Sequence, residues 1–213
     1  MIRKFFQGTL FSFMIVLLPA VGNRQALYLS QLWLMFALGI LANLFQPPYK
    51  PFDKSAPRED KNTALQNLWS CSLVQVGGIV EAVYFRYPES FRWDAVATIA
   101  LAVMILGLIL RTWAVLTLGK FFTWHVTVQP GQKVIRAGPY RLIRHPSYTG
   151  ALLTYLFGPV FLHAWVTMLL GLFALPASFL RRIRLEEVML KRSLGKDYET
   201  YCKEVHALIP GIW

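Results

Sequence analysis

Acidic residues are scarce in this chain: 11 Asp and Glu stand against 22 Lys and Arg, for a formal net charge of +11. Cysteine is scarcer still, with Cys71 inside an apolar run and Cys202 in a charged tail. Neither has a near partner or a CxxC spacing, which excludes a disulfide framework and a cysteine zinc site. The four histidines, His125, His145, His163 and His206, are scattered without ligand spacing, so no metal centre is expected. No Gly-x-Gly-x-x-Gly follows a strand, and neither Gly-x-x-x-x-Gly-Lys-Ser/Thr nor Gly-x-Ser-x-Gly occurs. Dinucleotide, P-loop and serine-hydrolase sites are therefore unsignalled. Internal repeats and low-complexity tracts are lacking too.

What the sequence has in abundance is long apolar runs. Hydrophobic residues make up 55% of 213, and mean hydropathy is +0.44, far above an ordinary soluble domain. The expectation is one compact, all-α integral membrane protein. Apolar segments lie near 6–22, 27–46, 65–86 and 94–118, followed by a double segment at 148–162 and 164–181. The first four are long enough to span. The last pair, interrupted by Gly158-Pro159 and His163, reads as a tight helical hairpin, as two tilted spans or a re-entrant pair. That makes about five to six transmembrane helices and a C-terminal tail. Met1 to Asn23 has the outline of a signal peptide, but Val21-Gly22-Asn23 is a poor cleavage site, so a retained first helix is expected.

The positive charge has a direction. Arg3 and Lys4 precede the first span, and Lys50, Lys54, Arg58 and Lys61 separate the second from the third. Lys120, Lys133, Arg136, Arg141 and Arg144 follow the fourth, whereas the opposite loops hold only Arg24, Arg86 and Arg92. This bias places the N-terminus, the 138–150 stretch and the tail in the cytoplasm. It also accounts for the basic balance through membrane topology and anionic lipid, with no need for nucleic acid. Two ionisable residues lie inside spans, Glu81 in the third and Arg111 in the fourth. Both are costly in lipid, so each should face the protein interior, a cavity or a partner.

The densest chemistry runs from Gly138 to Gly150: Gly-Pro-Tyr-Arg-Leu-Ile-Arg-His-Pro-Ser-Tyr-Thr-Gly. Pro139 and Pro146 keep it from being one continuous helix. A loop that only sets topology has no use for its His, Tyr, Ser and paired glycines. In the tail, Leu180, Ile183, Leu190 and Leu194 recur at helical spacing, and Arg182 and Glu186 share a face four residues apart. Gly195 reads as a helix stop before a second short helix with Tyr198 and Tyr201. A solvated amphipathic tail on the membrane surface would show the same pattern. A cationic and aromatic cluster at 133–148 that folds against Arg182 and Glu186 suits a ligand of mixed charge with an aromatic ring. S-adenosylmethionine is such a ligand. Methyl transfer from it needs in-line approach and exclusion of water more than a strong acid or a metal.

Three pieces together, Leu110 to Thr123, Gly138 to Gly150, and Arg182 to Glu187 with Gly195, Tyr198, Tyr201 and Ile209-Pro210, resemble the isoprenylcysteine carboxyl methyltransferase family. That family belongs to a wider group of membrane methyltransferases that includes phospholipid N-methyltransferases. The resemblance covers roughly the C-terminal half. It implies a helical membrane enzyme, with N-terminal helices at 1–93 and a methyltransferase core at 94–213, whose S-adenosylmethionine pocket is closed by a cytosolic tail. Carried over by position, cofactor contacts fall on Gln132, Lys133, Val134, Ile135, Tyr140, His145, Pro146, Ser147, Tyr148 and Glu186. Arg144 and Arg182 are the implied catalytic residues, facing the acceptor or the cofactor carboxylate, and Arg182, Glu187 and Arg111 the implied acceptor contacts. Gln132 stands where bacterial relatives often carry His, and Gln cannot become a cation.

The implied partner is a lipophilic small molecule or prenylated acceptor entering from membrane lipid. A carboxylate acceptor is already ionised and needs only an orienting cation such as Arg182. An amine acceptor, as in a phospholipid, must lose a proton, and Glu187 or Glu81 would be the base. The competing readings are another N- or S-methyltransferase, an NADPH-dependent sterol-reductase-like enzyme, and a small transporter with Glu81 and Arg111 along its path. The membrane is the inner or plasma membrane if the chain is prokaryotic.

Overall fold

A computed structural model describes residues 2–45 and 60–211 of the chain. Lys50, Lys54 and Arg58, part of the charge bias, lie outside the described residues. Within them the chain forms seven α-helices: α1 (Ile2–Ser12), α2 (Ser30–Leu44), α3 (Thr63–Val80), α4 (Ala95–Leu118), α5 (Pro146–Phe161), α6 (Trp165–Leu194) and α7 (Lys196–Glu204). The only β-type pairing among the described residues is a parallel bridge between Ile143 and His206.

Three helical stretches are long and apolar enough to cross a membrane: Thr63–Phe85, Ala95–Phe121 and Trp165–Leu194. The helical stretches Lys4–Ala20 and Ser30–Leu44 are apolar but shorter, so the expected spanning length of the first two segments is not reached there. In the first, α1 widens into a π-helical turn at Phe13–Leu17 and tightens into a 3-10 turn at Leu18–Ala20, where Pro19 has no N–H to continue an α-helix. The expectation of two short hairpin arms is also corrected. The second arm does not end near 181 but runs as one 30-residue helix to Leu194. Gly171 and Pro176 lie within it without ending it, and it stops at Gly195, whose φ of +56° is open to a residue without Cβ. The basic tail is thus a continuation of the membrane helix, and Arg181 to Glu187 inherit its rigidity.

Glu81 settles into a structural role. Its buried carboxylate accepts the backbone N–H groups of Val166 at 3.1 Å and Thr167 at 2.7 Å. Those are two of the four donors that the first turn of α6 cannot satisfy internally, so the turn that follows α3 supplies the cap that α6 lacks. At the same end, His163 takes a φ of +49° in the turn between α5 and α6. Its Nδ1 is 3.1 Å from the Ser90 carbonyl and its Nε2 is 3.1 Å from an Asp94 carboxylate oxygen. Asp94 also accepts the Ala97 N–H at 2.9 Å and thereby caps α4. The turn of the hairpin is pinned to the start of the helix beside it.

The packing that positions the site is the crossing of α4 and α5. A Cβ placed on Gly150 would stand 2.5 Å from the Gly107 carbonyl oxygen and 2.7 Å from the Arg111 nitrogen. Only two facing glycines let the backbones approach this closely. The close approach carries Arg111 of α4 alongside Ser147 of α5, where its Nη1 donates to both the carbonyl and the hydroxyl of Ser147 at 3.1 Å. Below this crossing, Cys71, Val74, Ala151, Leu175 and Phe179 form a buried cluster of α3, α5 and α6.

Candidate active site

The 138–150 stretch folds as the sequence demands. A tight 3-10 turn at Gly138–Arg141 begins at Gly138, whose φ is +56°, and α5 starts at Pro146, where a missing N–H costs nothing. Between them, residues 143–145 pair with the C-terminal segment: Arg144 N–H donates to His206 O at 2.8 Å and His145 N–H to Ala207 O at 2.9 Å. Thr149 Oγ donates to Leu208 O at 2.9 Å and Tyr201 Oη to Tyr140 O at 2.7 Å. Arg144 completes the clasp, ion-paired with Glu187 at 2.8 Å and donating to the carbonyls of Cys202 and Val205.

Two cavities result. The narrower, about 90 Å³, is lined by Gln132, Lys133, Val134, Ile135, Tyr140, Arg144, His145, Ser147, Tyr148, Arg182 and Glu186, together with Met189, Leu190, Tyr198 and Tyr201. The wider, about 330 Å³, lies between α1, α2 and the α3–α6 core and is lined by Phe11, Leu68, Cys71, Ala151, Tyr155 and Phe179, with Lys4, Gln7, Asn43, Asn67 and Arg111 among its polar members. Their volumes differ several-fold, yet they share a wall: Phe122, Thr123, Ser147, Tyr148 and Arg182 line both.

Tyr148 is the centre of that wall. Its hydroxyl accepts from Arg182 Nε at 2.8 Å and donates to Glu186 Oε2 at 2.6 Å. A neutral phenol is the only form that can do both. Its ring stacks on His145, with centroids 5.6 Å apart and planes 22° from parallel. His145 Nε2 lies 3.1 Å from Glu187 Oε1; because a carboxylate only accepts, that nitrogen is assigned the proton. Arg182 is 5% exposed and nearly spent: Nη1 donates to Asp60 and Thr63, and Nη2 to the Trp124 carbonyl at 2.6 Å. Arg111 lies 5.8 Å from the Trp124 ring centroid, as a cation over an aromatic face. Burial pushes the Tyr198 phenol up, and that of Tyr201 up to about 12, so both are neutral donors at physiological pH.

The structure brings most of the expected site residues to these two cavities, and Pro146 and Glu187 line neither. Pro146 is buried at the first turn of α5 and does not line the cavity, its role being to start the helix. Glu187 does not face either cavity, because Arg144 and His145 take up its carboxylate. Arg144 lines the narrow cavity and directs its donors at Glu187 and the tail. The sequence reading does not single out Asp60, Thr63 or residues 124–128, and it takes 121–123 only as part of the Leu110 to Thr123 piece. A buried arginine needs a carboxylate partner, which signals that an acid should exist; but Asp60 sits in a short run of mixed charges, Arg58 to Lys61, between two apolar segments.

Among the described residues, the backbone amides and carbonyls of Lys133, Val134 and Ile135 have no hydrogen-bond partner within the protein, although all three line the narrow cavity. No group of His, Cys, Asp and Glu among those residues could hold a metal ion.

Residues 98–192 match the model of the isoprenylcysteine carboxyl methyltransferase family. A probable protein-S-isoprenylcysteine O-methyltransferase of Oryza sativa subsp. indica is 32% identical over 149 residues, covering 69% of this chain and 77% of the relative. The protein-S-isoprenylcysteine O-methyltransferase B of Arabidopsis thaliana is 31% identical over 134 residues, covering 62% and 67%. The solved structure of the eukaryotic intramembrane Ras methyltransferase ICMT superposes with a TM-score of 0.65 at 24% identity, over 95% of this chain and 74% of that one, and so shares its fold. With a rice relative aligned over most of its length and a family match across α4 to α6, this chain belongs to the isoprenylcysteine carboxyl methyltransferase family.

Proposed function

We propose that this protein transfers a methyl group from S-adenosylmethionine to the carboxylate of a lipophilic acceptor of the isoprenylcysteine type. The cofactor takes the narrow cavity and the acceptor the wide one. The observation that carries this reading is the shared wall. Ser147, Tyr148 and Arg182 face both spaces, so a donor and an acceptor can meet without either leaving its own compartment.

The residues of the narrow cavity fit the cofactor. Unpaired backbone at 133–135 offers donors and acceptors to a base edge, Glu186 offers a carboxylate to an ammonium or to ribose hydroxyls, and Tyr140, Tyr198 and Tyr201 offer aromatic surface. S-adenosylmethionine, when bound, supplies a sulfonium-activated methyl group. The protein holds Glu186 in place through Tyr148 and excludes water with the strip 121–128 and the tail.

The lining of the wide cavity favours oxygen over nitrogen as the methyl acceptor. Lys4 and Arg111 line it, and no Asp or Glu does among the described residues. An amine acceptor needs a base for its proton, whereas a carboxylate needs only an orienting cation. Arg111, held beside the shared wall by Ser147, is that cation in this reading, and Arg182 fixes the wall itself. Arg144 and Glu187 act through the clasp of the tail. The acceptor enters sideways from the bilayer, with α1, α2 and α5 embedded beside the three long helices for about five to six membrane helices in all. The bias in the basic residues supports a cytoplasmic N-terminus and site.

Isothermal titration of the detergent-purified protein with S-adenosylhomocysteine, beside NADPH, tests the cofactor. Saturable binding of the first alone is expected, and binding of NADPH alone would replace the reading with a reductase. Methylation of N-acetyl-S-farnesylcysteine, with none of phosphatidylethanolamine, is the expected acceptor result; the reverse preference would overturn the carboxylate.

A further inference from the structure

Asp60 lies outside every motif in the chain, yet it is among its most occupied carboxylates. It is 2% exposed. Oδ1 accepts the Val126 N–H at 2.8 Å, the Thr63 hydroxyl at 3.1 Å and Arg182 Nη1 at 3.2 Å, while Oδ2 accepts the Ala64 N–H at 3.3 Å and lies 3.5 Å from His125 Nδ1. The two residues that follow, Lys61 and Asn62, have φ values of +45° and +61°. Two consecutive non-glycine residues in the left-handed region are held there only by surrounding contacts, and such conformations gather at functional sites. Here the grip comes from α6: Arg181 donates to the Lys61 carbonyl at 3.1 Å and to Gln66, while Arg182 takes Asp60.

What this turn holds is the strip between the cavities. Arg182 Nη2 donates to the Trp124 carbonyl and Asp60 accepts from Val126 N–H, so one ion pair fixes the strip at two points two residues apart. Phe122 and Thr123, just ahead of those points, face both cavities. Within the strip the Thr123 hydroxyl donates to His125 O, and at its start Phe122 N–H donates to Gly119 O.

From this we infer that Asp60 is a positioning residue for methyl transfer: paired with Arg182, it anchors the strip 122–126 and so sets the separation between cofactor and acceptor. Asp60 touches neither ligand space and takes no part in bond making. Its effect falls on the transfer step, because a misplacement of about 1 Å between reacting groups costs on the order of 100-fold in rate. Binding of each ligand rests mainly on walls outside the strip, 132–135 with His145 on one side and α1 to α4 on the other.

The inference rests on the methyltransferase reading, and the wild-type protein tests that reading within the same experiment. Full-length wild type, Asp60→Asn and Asp60→Glu are compared for S-adenosylhomocysteine affinity, for kcat and KM with N-acetyl-S-farnesylcysteine, and for thermal unfolding. Asp60→Asn removes the charge facing Arg182. Asp60→Glu keeps it but shifts the carboxylate by one methylene, so it remains a usable probe if the Asn variant does not fold. The expected result in the folded variants is a fall in kcat of roughly 10- to 100-fold, with the affinity for S-adenosylhomocysteine and the KM changed less than about threefold. An unchanged kcat per folded molecule, with only a lower melting temperature, would overturn the positioning role. Loss of affinity or a raised KM at constant kcat would do the same. Wild type that neither binds S-adenosylhomocysteine nor turns over would instead fail the function proposed above.

Discussion

Gln75 on α3 donates a 2.8 Å hydrogen bond to the carbonyl of Tyr155 on α5. That carbonyl lies four residues before Pro159, the position whose missing N–H leaves it without its helical partner. Gly158, next to the proline, makes room: a Cβ there would stand 2.5 Å from the Gln75 side chain. A side chain of one helix thus repairs the backbone of another inside an apolar interior. Gln75→Leu should therefore destabilise the protein by about 1–3 kcal/mol, the cost of a buried unsatisfied carbonyl. Thermal unfolding in detergent measures it, and kcat per folded molecule should stay unchanged.

Gly150→Ala should act on both stability and function. The added methyl meets the Gly107 carbonyl and the Arg111 backbone, groups that cannot rotate away. Overpacking of this kind costs about 1–3 kcal/mol or more. Because α5 also carries Ser147 and Tyr148, the separation of Arg111 from the shared wall changes with it. Turnover by the folded fraction should fall, in contrast to the Gln75 variant.

Tyr148→Phe removes one hydroxyl and two hydrogen bonds, from Arg182 and to Glu186. Hydrogen bonds to charged groups contribute about 1.5–3 kcal/mol, so affinity for S-adenosylhomocysteine should drop by about tenfold or more once Glu186 is no longer held. Calorimetric titration reads this directly. An affinity equal to wild type would mean that Glu186 does not contact the cofactor.

The acid limb of stability should report Asp94. Its Ala97 hydrogen bond, with His163 and Arg92 alongside, holds the carboxyl down to about 2. A group whose folded pKa lies below its unfolded value of about 3.9 contributes stability above that value and loses it as pH falls toward the folded one. The melting-temperature difference between wild type and Asp94→Asn should be constant from pH 5 to neutrality and shrink between about pH 4 and pH 2. A difference that grew on acidification would contradict the sign.

Much of this architecture is local in origin, and for that reason legible in the residues alone. Apolar runs of membrane length, proline and glycine at helix boundaries, and the cluster from Gly138 to Gly150 are properties of short windows, and each carries its own energetic cause. The stop at Gly195 and the helix after it follow from one backbone angle. The union of Tyr148 with Arg182 and Glu186 was also within reach, since Arg182 and Glu186 lie one helical turn apart.

Tertiary structure alone decided where the remaining charges go. Glu187 and Glu186 are neighbours with the same side chain, but a helix turns about 100° per residue, so one meets Tyr148 at the cavity and the other Arg144 behind it. Glu81 became a helix cap because the start of α6, 85 residues on, arrives beside it with unsatisfied N–H groups. Asp60 meets Arg182 across 122 residues. No periodicity or spacing encodes a pair at that distance, because what selects it is the cost of leaving a buried arginine unpaired, and burial exists only once the helices have packed.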